Sequence, residues 1–171
     1  MNEQAKKSAL LMIPYGLQVL GAKDGDKMTL ATVNWTTQAS FKPPLVVVGV
    51  KGDSSAHAMV KNTKQFTMSF LGTGQKGHAF AFFKHVEPEG GKMGGFDFKT
   101  GPNTGCPIVS DAPAWVECKV VGFYEHGDHS VVVGEVIEGG LRDDVQKTVE
   151  ANPKADIEPL TLKEIGAKYG G

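Results

Sequence analysis

Hydrophobic and polar positions alternate with a period of two over several stretches of the 171-residue chain, the pattern of strands that turn one face to a core. Residues 16–22 read as a first strand. Lys-Asp-Gly-Asp-Lys at 23–27 reads as a hairpin loop of about five residues, because an Asp-Gly pair between strand-like runs suits a tight reversal. The return strand covers 28–37, with Thr32, Asn34 and Thr36 on one face and Ala31, Val33 and Trp35 on the other. Pro43 and Pro44 lack the N–H that a ladder needs and turn the chain. The run 45–50, Leu-Val-Val-Val-Gly-Val, is apolar on both faces and predicts a central strand, with Gly49 marking a close approach to its backbone. The period then becomes helical: Ala56, Met59, Val60 and Thr63 follow Asp53 or Ser54 as N-cap.

Residues 65–71 alternate again, setting Phe66, Met68 and Phe70 against Thr67 and Ser69. A glycine-rich turn at 72–77 leads to a short helix over 78–84 and then a long Gly-rich loop reaching Val109. Residues 114–125 and 130–138 form two long strands joined at Gly127 and Asp128. A charged tail mixes a short helix with an extended end. The pattern predicts a mainly β fold: six strands, mostly antiparallel, with short helices between them. A closed or split β-barrel protects the edges of such a set better than an open sheet does.

The length predicts one folded unit over 1–171, with 139–171 a C-terminal extension. A net charge of −1, from 18 basic and 19 acidic residues, provides no field to recruit nucleic acid or an anionic membrane surface. The longest apolar run, 45–50, is too short to span a bilayer. Two cysteines and a start without a hydrophobic signal region predict a cytoplasmic home.

Candidate chemistry concentrates in residues 30–57. Thr32, Asn34 and Thr36 could hydrogen-bond the rim of a flat ring system. Lys51, Ser54, Ser55 and the N–H groups of the helix start could converge on a phosphate, with His57 adding a donor. Each piece has a plain alternative: Ser and Asp are ordinary caps, Trp35 is as suited to a core as to a ring contact, and threonine is common in any sheet. Gly-Thr-Gly-Gln-Lys-Gly at 72–77 matches G-x-G-x-x-G in form. No parallel strand ending in an acidic residue follows, so a strand-to-helix turn explains it better than a dinucleotide fold. His78, His85 and His126 show no metal-ligand spacing, which predicts no metal site. Cys106 and Cys118 do not form a CxxC pair.

The order of these pieces resembles the flavin reductase-like, FMN-binding split-barrel family (flavoredoxin-like). So do the N-terminal hairpin, TVNWTTQASFKPPLVVVGV, the Ser-Ser-x-His helix start, GCPIV, AWVECKVV, GDHSVVVGEV and the tail LTLKEIGAKYGG. The resemblance implies a six-stranded antiparallel split barrel, a homodimer with FMN near the interface, and a tail that packs on the barrel or the dimer partner. It implies an NADH- or NADPH-dependent flavin (FMN) reductase. Carried over, Thr32, Asn34, Trp35 and Thr36 fall on the ring-binding strand, Val50 and Lys51 on the segment after the double proline, and Ser54, Ser55 and His57 on the phosphate contacts. His129, in Gly-Asp-His, falls near the nicotinamide or the exposed flavin face. Many relatives carry an SGR-x-x-DKF segment where this chain has EGGKMGGFDF, which leaves Lys92 and Lys84 as candidates for the basic role. Two alternatives accompany the reductase: an electron-transfer flavoprotein fed by a redox protein, and a non-catalytic FMN-binding module. A redox protein or a monooxygenase is a candidate partner.

Overall fold

The computed structural model describes residues 1–167. A surface helix, α1 (Glu3–Leu10), starts at Asn2, whose side chain accepts from the Ala5 N–H at 3.0 Å. The strands β1 (Gln18–Asp24) and β2 (Lys27–Val33) then form an antiparallel hairpin. Its turn has two residues rather than the five expected. Asp24 pairs with Lys27, and Gly25, at φ 58, holds the first central position, where a II′ turn needs a positive φ. The polar side chains at the tip reach solvent, so the ladder continues through them.

Next come β3 (Thr36–Phe41), β4 (Pro44–Lys51), α2 (Ser55–Thr63), β5 (Gln65–Phe70) and α3 (Lys76–Ala81). Four short strands follow: β6 (Pro88–Glu89), β7 (Lys92–Met93), β8 (Phe96–Thr100) and β9 (Pro107–Val109). The long hairpin of β10 (Ala114–Glu125) and β11 (His129–Leu141) leads to α4 (Asp143–Ala151).

Seven strands form one antiparallel sheet in the order β2-β1-β5-β10-β11-β4-β3, one more than the six expected. The additional strand comes from residues 28–37, which divide at Asn34 and Trp35; the two halves lie at opposite edges of the sheet. In a flat sheet six inter-strand spacings would hold those edges about 29 Å apart. The three Cα steps from Val33 to Thr36 span at most about 11 Å. The sheet must therefore roll until its edges approach, leaving a seam at Asn34 and Trp35: a split barrel.

The barrel interior is filled by Leu20, Val48, Val50, Val60, Phe66, Met68, Cys118 and Val132. Strand β4 lies beside an edge, not at the centre of the sheet. It buries Val46, Val48 and Val50 while Leu45, Val47 and Gly49 are half-buried. Strand β5 is buried on both faces, because Thr67 and Ser69 meet β9: the Thr67 hydroxyl donates to the Pro107 carbonyl, and Ser69 Oγ accepts from the Val109 N–H.

The Gly-rich loop is largely a second sheet, β6-β7-β8-β9. Gly90 and Gly91 (φ 57 and 80), then Gly94 and Gly95 (φ 54 and 86), form two-residue turns between paired Glu89 and Lys92 and between paired Met93 and Phe96. Two positive φ angles in succession are what a I′ turn requires, and glycine supplies them without strain. This sheet, α3 and the tail enclose a second apolar cluster containing Leu17, Leu30, Phe82, Met93, Leu160 and Leu162. The tail packs on its own barrel: the Leu160 N–H donates to the Leu71 carbonyl, and the Leu17 N–H to that of Leu160. Lys168 to Gly171, the end of the tail motif, lie outside the described residues.

The loop between β8 and β9 is held by Glu117 of β10, a fully buried carboxylate. It accepts from the backbone N–H and side-chain Nδ2 of Asn103 and from the N–H and hydroxyl of Thr104. Burial alone would raise this carboxyl, but the donors from Thr104 and Asn103 outweigh it and hold it below the ordinary carboxylate range.

Candidate functional site

The seam of the barrel opens into a cleft of about 770 Å³. One wall is the end of β2 with Asn34 and Trp35; the floor is the end of β4, Gly49 to Lys51. The turn into α2 brings Asp53, Ser54 and Ser55, the segment after α3 brings Phe82, Phe83, Lys84 and His85, and β11 brings His129. Among the described residues no helix is long and apolar enough to cross a membrane.

The break that makes the seam also shapes the ring-sized part of the cleft. Trp35 lies across β4: the Gly49 N–H donates to the Trp35 carbonyl at 2.8 Å, and a Cβ on Gly49 would come within 3.2 Å of the Trp35 side chain. The close approach expected at Gly49 is thus made by Trp35, whose side chain would have to give by a few tenths of an ångström to admit a Cβ there. The β3–β4 ladder ends at the Thr36 and Val48 pair. Past the Gly49–Trp35 bond, β4 runs on to Lys51 without a strand beside it on the seam side.

Asn34 contributes an orphan. Its Nδ2 is buried without a hydrogen-bond partner, a state that costs about 1–3 kcal/mol unless an acceptor meets it. Thr36 Oγ1 is likewise buried and unpaired, but Thr36 lines a neighbouring apolar hollow with Ile13, Tyr15 and Val47, not the cleft. Thr32 lines the cleft with its hydrogens already committed: the hydroxyl donates to the Ala79 carbonyl at 2.8 Å and the N–H to that of Phe82 at 2.9 Å. Its side chain binds β2 to α3 and is not a free rim donor. Val50 turns its side chain into the core, and its backbone pairs with Ser130 of β11.

At the α2 end, Ser54 is the cap. Its Oγ accepts from the His57 N–H and donates to the Lys51 carbonyl, which leaves the hydroxyl no hydrogen for an anion. Ser55 Oγ lies 2.8 Å from His85 Nδ1, and His85 Nε2 lies 3.2 Å from Glu87. Lys51 pairs with Asp53 at 3.1 Å on an exposed surface, a contact worth little and easily opened. His57 departs from the expected anion pocket. Its ring is buried on the core side of α2, with Nε2 2.7 Å from Ser130 Oγ and the ring edge-on to Phe123. Lys92 also lies elsewhere, paired with Asp97 in the second sheet at 3.2 Å.

His129 faces Trp35 with ring centroids 4.5 Å apart. Its Nδ1 donates to Asp128 at 3.0 Å, and this bond holds the Asp128 carboxyl below its ordinary range. With Nδ1–H so committed, Nε2 of the neutral ring is an acceptor. Phe82, Phe83 and Lys84 fall inside the helix expected over 78–84, but α3 ends at Ala81, and the segment from Phe82 to His85 lines the cleft instead.

A broad slot, an unpaired strand edge, an unsatisfied amide donor and a helix start with nearby cations suit a ligand that joins a flat hydrogen-bonding ring to a phosphate. A flavin mononucleotide has that chemistry, and the residues present fit it. Comparisons with known proteins give flavin-handling relatives. The chain is 36% identical over 107 residues, 62% of its length, to the NADH-dependent FAD reductase of Streptomyces globisporus, and covers 59% of that relative. It is 30% identical over 134 residues to diflavin flavoprotein A 1 of a Synechocystis strain, spanning 78% of this chain and 23% of that one. Among solved structures, the NADH:FAD oxidoreductase SgcE6 of Streptomyces globisporus C-1027 superposes with a TM-score of 0.68 at 30% identity, covering 77% of this chain and 78% of that chain. The flavin reductase like domain model matches residues 10–165, and the chain belongs to that family.

Proposed function

We propose that this protein is an NAD(P)H-dependent flavin reductase that holds FMN in the seam cleft. The observation that carries the reading is Asn34: a buried amide donor without a partner, beside an unpaired strand edge, needs an acceptor such as a ring carbonyl. Asn34 and the β4 edge would hold the ring rim, Trp35 would wall the slot, and Lys51, Ser55 and the α2 start would hold the phosphate. FMN supplies the hydride acceptor, so the protein needs no side-chain acid for that step. The chain's own contribution is to position the rings and exclude water. His129 Nε2, an acceptor, suits the NH₂ of a nicotinamide carboxamide, and its Asp128 partner fixes that tautomer.

A homodimer suits the outer face of the barrel, where Val121, Tyr124 and Val131 are exposed on the β10–β11 hairpin and Val47 is half-buried on β4. Likeness to a diflavin flavoprotein supports a second reading, an electron carrier fed by a redox protein. An anaerobic titration of the FMN-loaded protein separates the two. Bleaching of the flavin absorbance by NADH or NADPH supports the reductase. Loss of that bleaching in His129→Ala at low nicotinamide, restored at high concentration, supports the carboxamide role. Flavin that stays oxidised with both nicotinamides but is reduced by a protein donor favours the carrier.

A further inference from the structure

The contact between Ser55 and His85 has a direction that the hydrogen bookkeeping decides. Glu87 can only accept, so His85 Nε2 carries a hydrogen, and Nδ1 of the neutral ring is an acceptor. Ser55 must then give its own hydrogen to Nδ1, and its hydroxyl has none to offer the cleft it lines. Protonating His85 reverses this bond. Nδ1–H donates to Ser55 Oγ, and the hydroxyl hydrogen is released toward a ligand.

The surrounding charges make that proton matter. Around this end of the cleft stand Lys51 and Asp53 of the β4–α2 turn, and Lys84 and Glu87 of the segment that carries His85. These two cations and two anions cancel. Asp128 and His129 form their own pair on the β11 side. With His85 neutral the pocket offers a phosphate no net positive charge; with His85 protonated it offers one.

We infer that His85, acting through Ser55, is a specificity residue for the phosphate of the flavin, and that binding a phosphorylated flavin draws one proton onto the His85 imidazole. This rests on the flavin reading above and assigns the cationic partner to the segment after α3, since Lys92 lies in the second sheet with Asp97. Imidazole is the side chain suited to change charge near neutrality. Proton uptake on binding means that FMN affinity rises as pH falls, and riboflavin, which lacks the phosphate, shows no such rise.

Calorimetric titration of the full chain with FMN, in two buffers of different ionisation enthalpy at pH 7.5, counts the protons taken up, with riboflavin and His85→Gln as controls. The expected result is net proton uptake with FMN, none with riboflavin and none in His85→Gln, whose FMN affinity falls about tenfold while its riboflavin affinity holds, the loss of one charge-assisted hydrogen bond. Equal proton uptake in the wild type and His85→Gln overturns the inference while leaving the flavin site intact. Failure of both FMN and riboflavin to bind wild-type protein overturns the flavin reading itself.

Discussion

Two buried polar groups in this barrel make opposite use of the same physics. Glu117 is a fully buried carboxylate whose oxygens are met by two backbone amides, a side-chain amide and a hydroxyl from Asn103 and Thr104. Asn34, at the seam, buries an amide nitrogen that nothing meets. The β8–β9 loop closes its own hydrogen-bond ledger and is structural. The seam leaves a donor and a strand edge open, which is what a binding site does before its ligand completes it.

The largest expected effect tests the closed half. Glu117→Gln keeps the shape but removes the charge and places an NH₂ among donors; it should cost about 3 kcal/mol of stability, read from the urea midpoint, with flavin affinity of the folded protein unchanged. Asn34→Ala should behave in the opposite way. Removing the orphan leaves stability level or higher, while FMN affinity falls about tenfold, the worth of one buried hydrogen bond. A variant that lost stability and kept its affinity would erase the distinction.

Acid sharpens the comparison. The Glu117 carboxyl is depressed in the folded state, so its contribution is present above the unfolded value, near 4.3, and is lost as pH falls through the lower folded value. Stability of the wild type should drop in that window below about pH 4, and the drop should be shallower in Glu117→Gln, measured by thermal melts from pH 3 to 6. The smallest effect concerns the second orphan. Thr36→Val removes a buried unpaired hydroxyl from the apolar hollow and should stabilise the fold by up to about 1 kcal/mol with no change in flavin affinity.

How much of this was legible in the sequence follows from which signals are local. The β10–β11 hairpin and the Ser54 cap are written in alternation and in a residue type beside a helical period, and the structure has them. The division at Asn34 and Trp35 carries no such mark. The alternation of 28–37 runs through it, and only the rolling of the whole sheet forces the break. The second sheet was hidden because strands of two to five residues have little or no period to read, although the Gly-Gly pairs at 90–91 and 94–95 were turn signals of the right type. His57 sits at the right distance along the chain from the helix cap, yet one turn of helix carries its ring to the core side, against Ser130. Lys84 and His85 reach the cleft through the fold of α3 onto β2, a long-range contact fixed by Thr32 and the Ala79 and Phe82 carbonyls.

The claim on which the rest depends is that the barrel seam is a flavin slot whose missing hydrogen-bond partner comes from the ring. The most direct measurement is a fluorescence titration of FMN with the wild type and Asn34→Ala. Quenching of FMN by the wild type, with a dissociation constant about tenfold lower than that of the variant, is the predicted result. FMN fluorescence and absorbance unchanged by excess wild-type protein, or identical affinities for the two proteins, would contradict it.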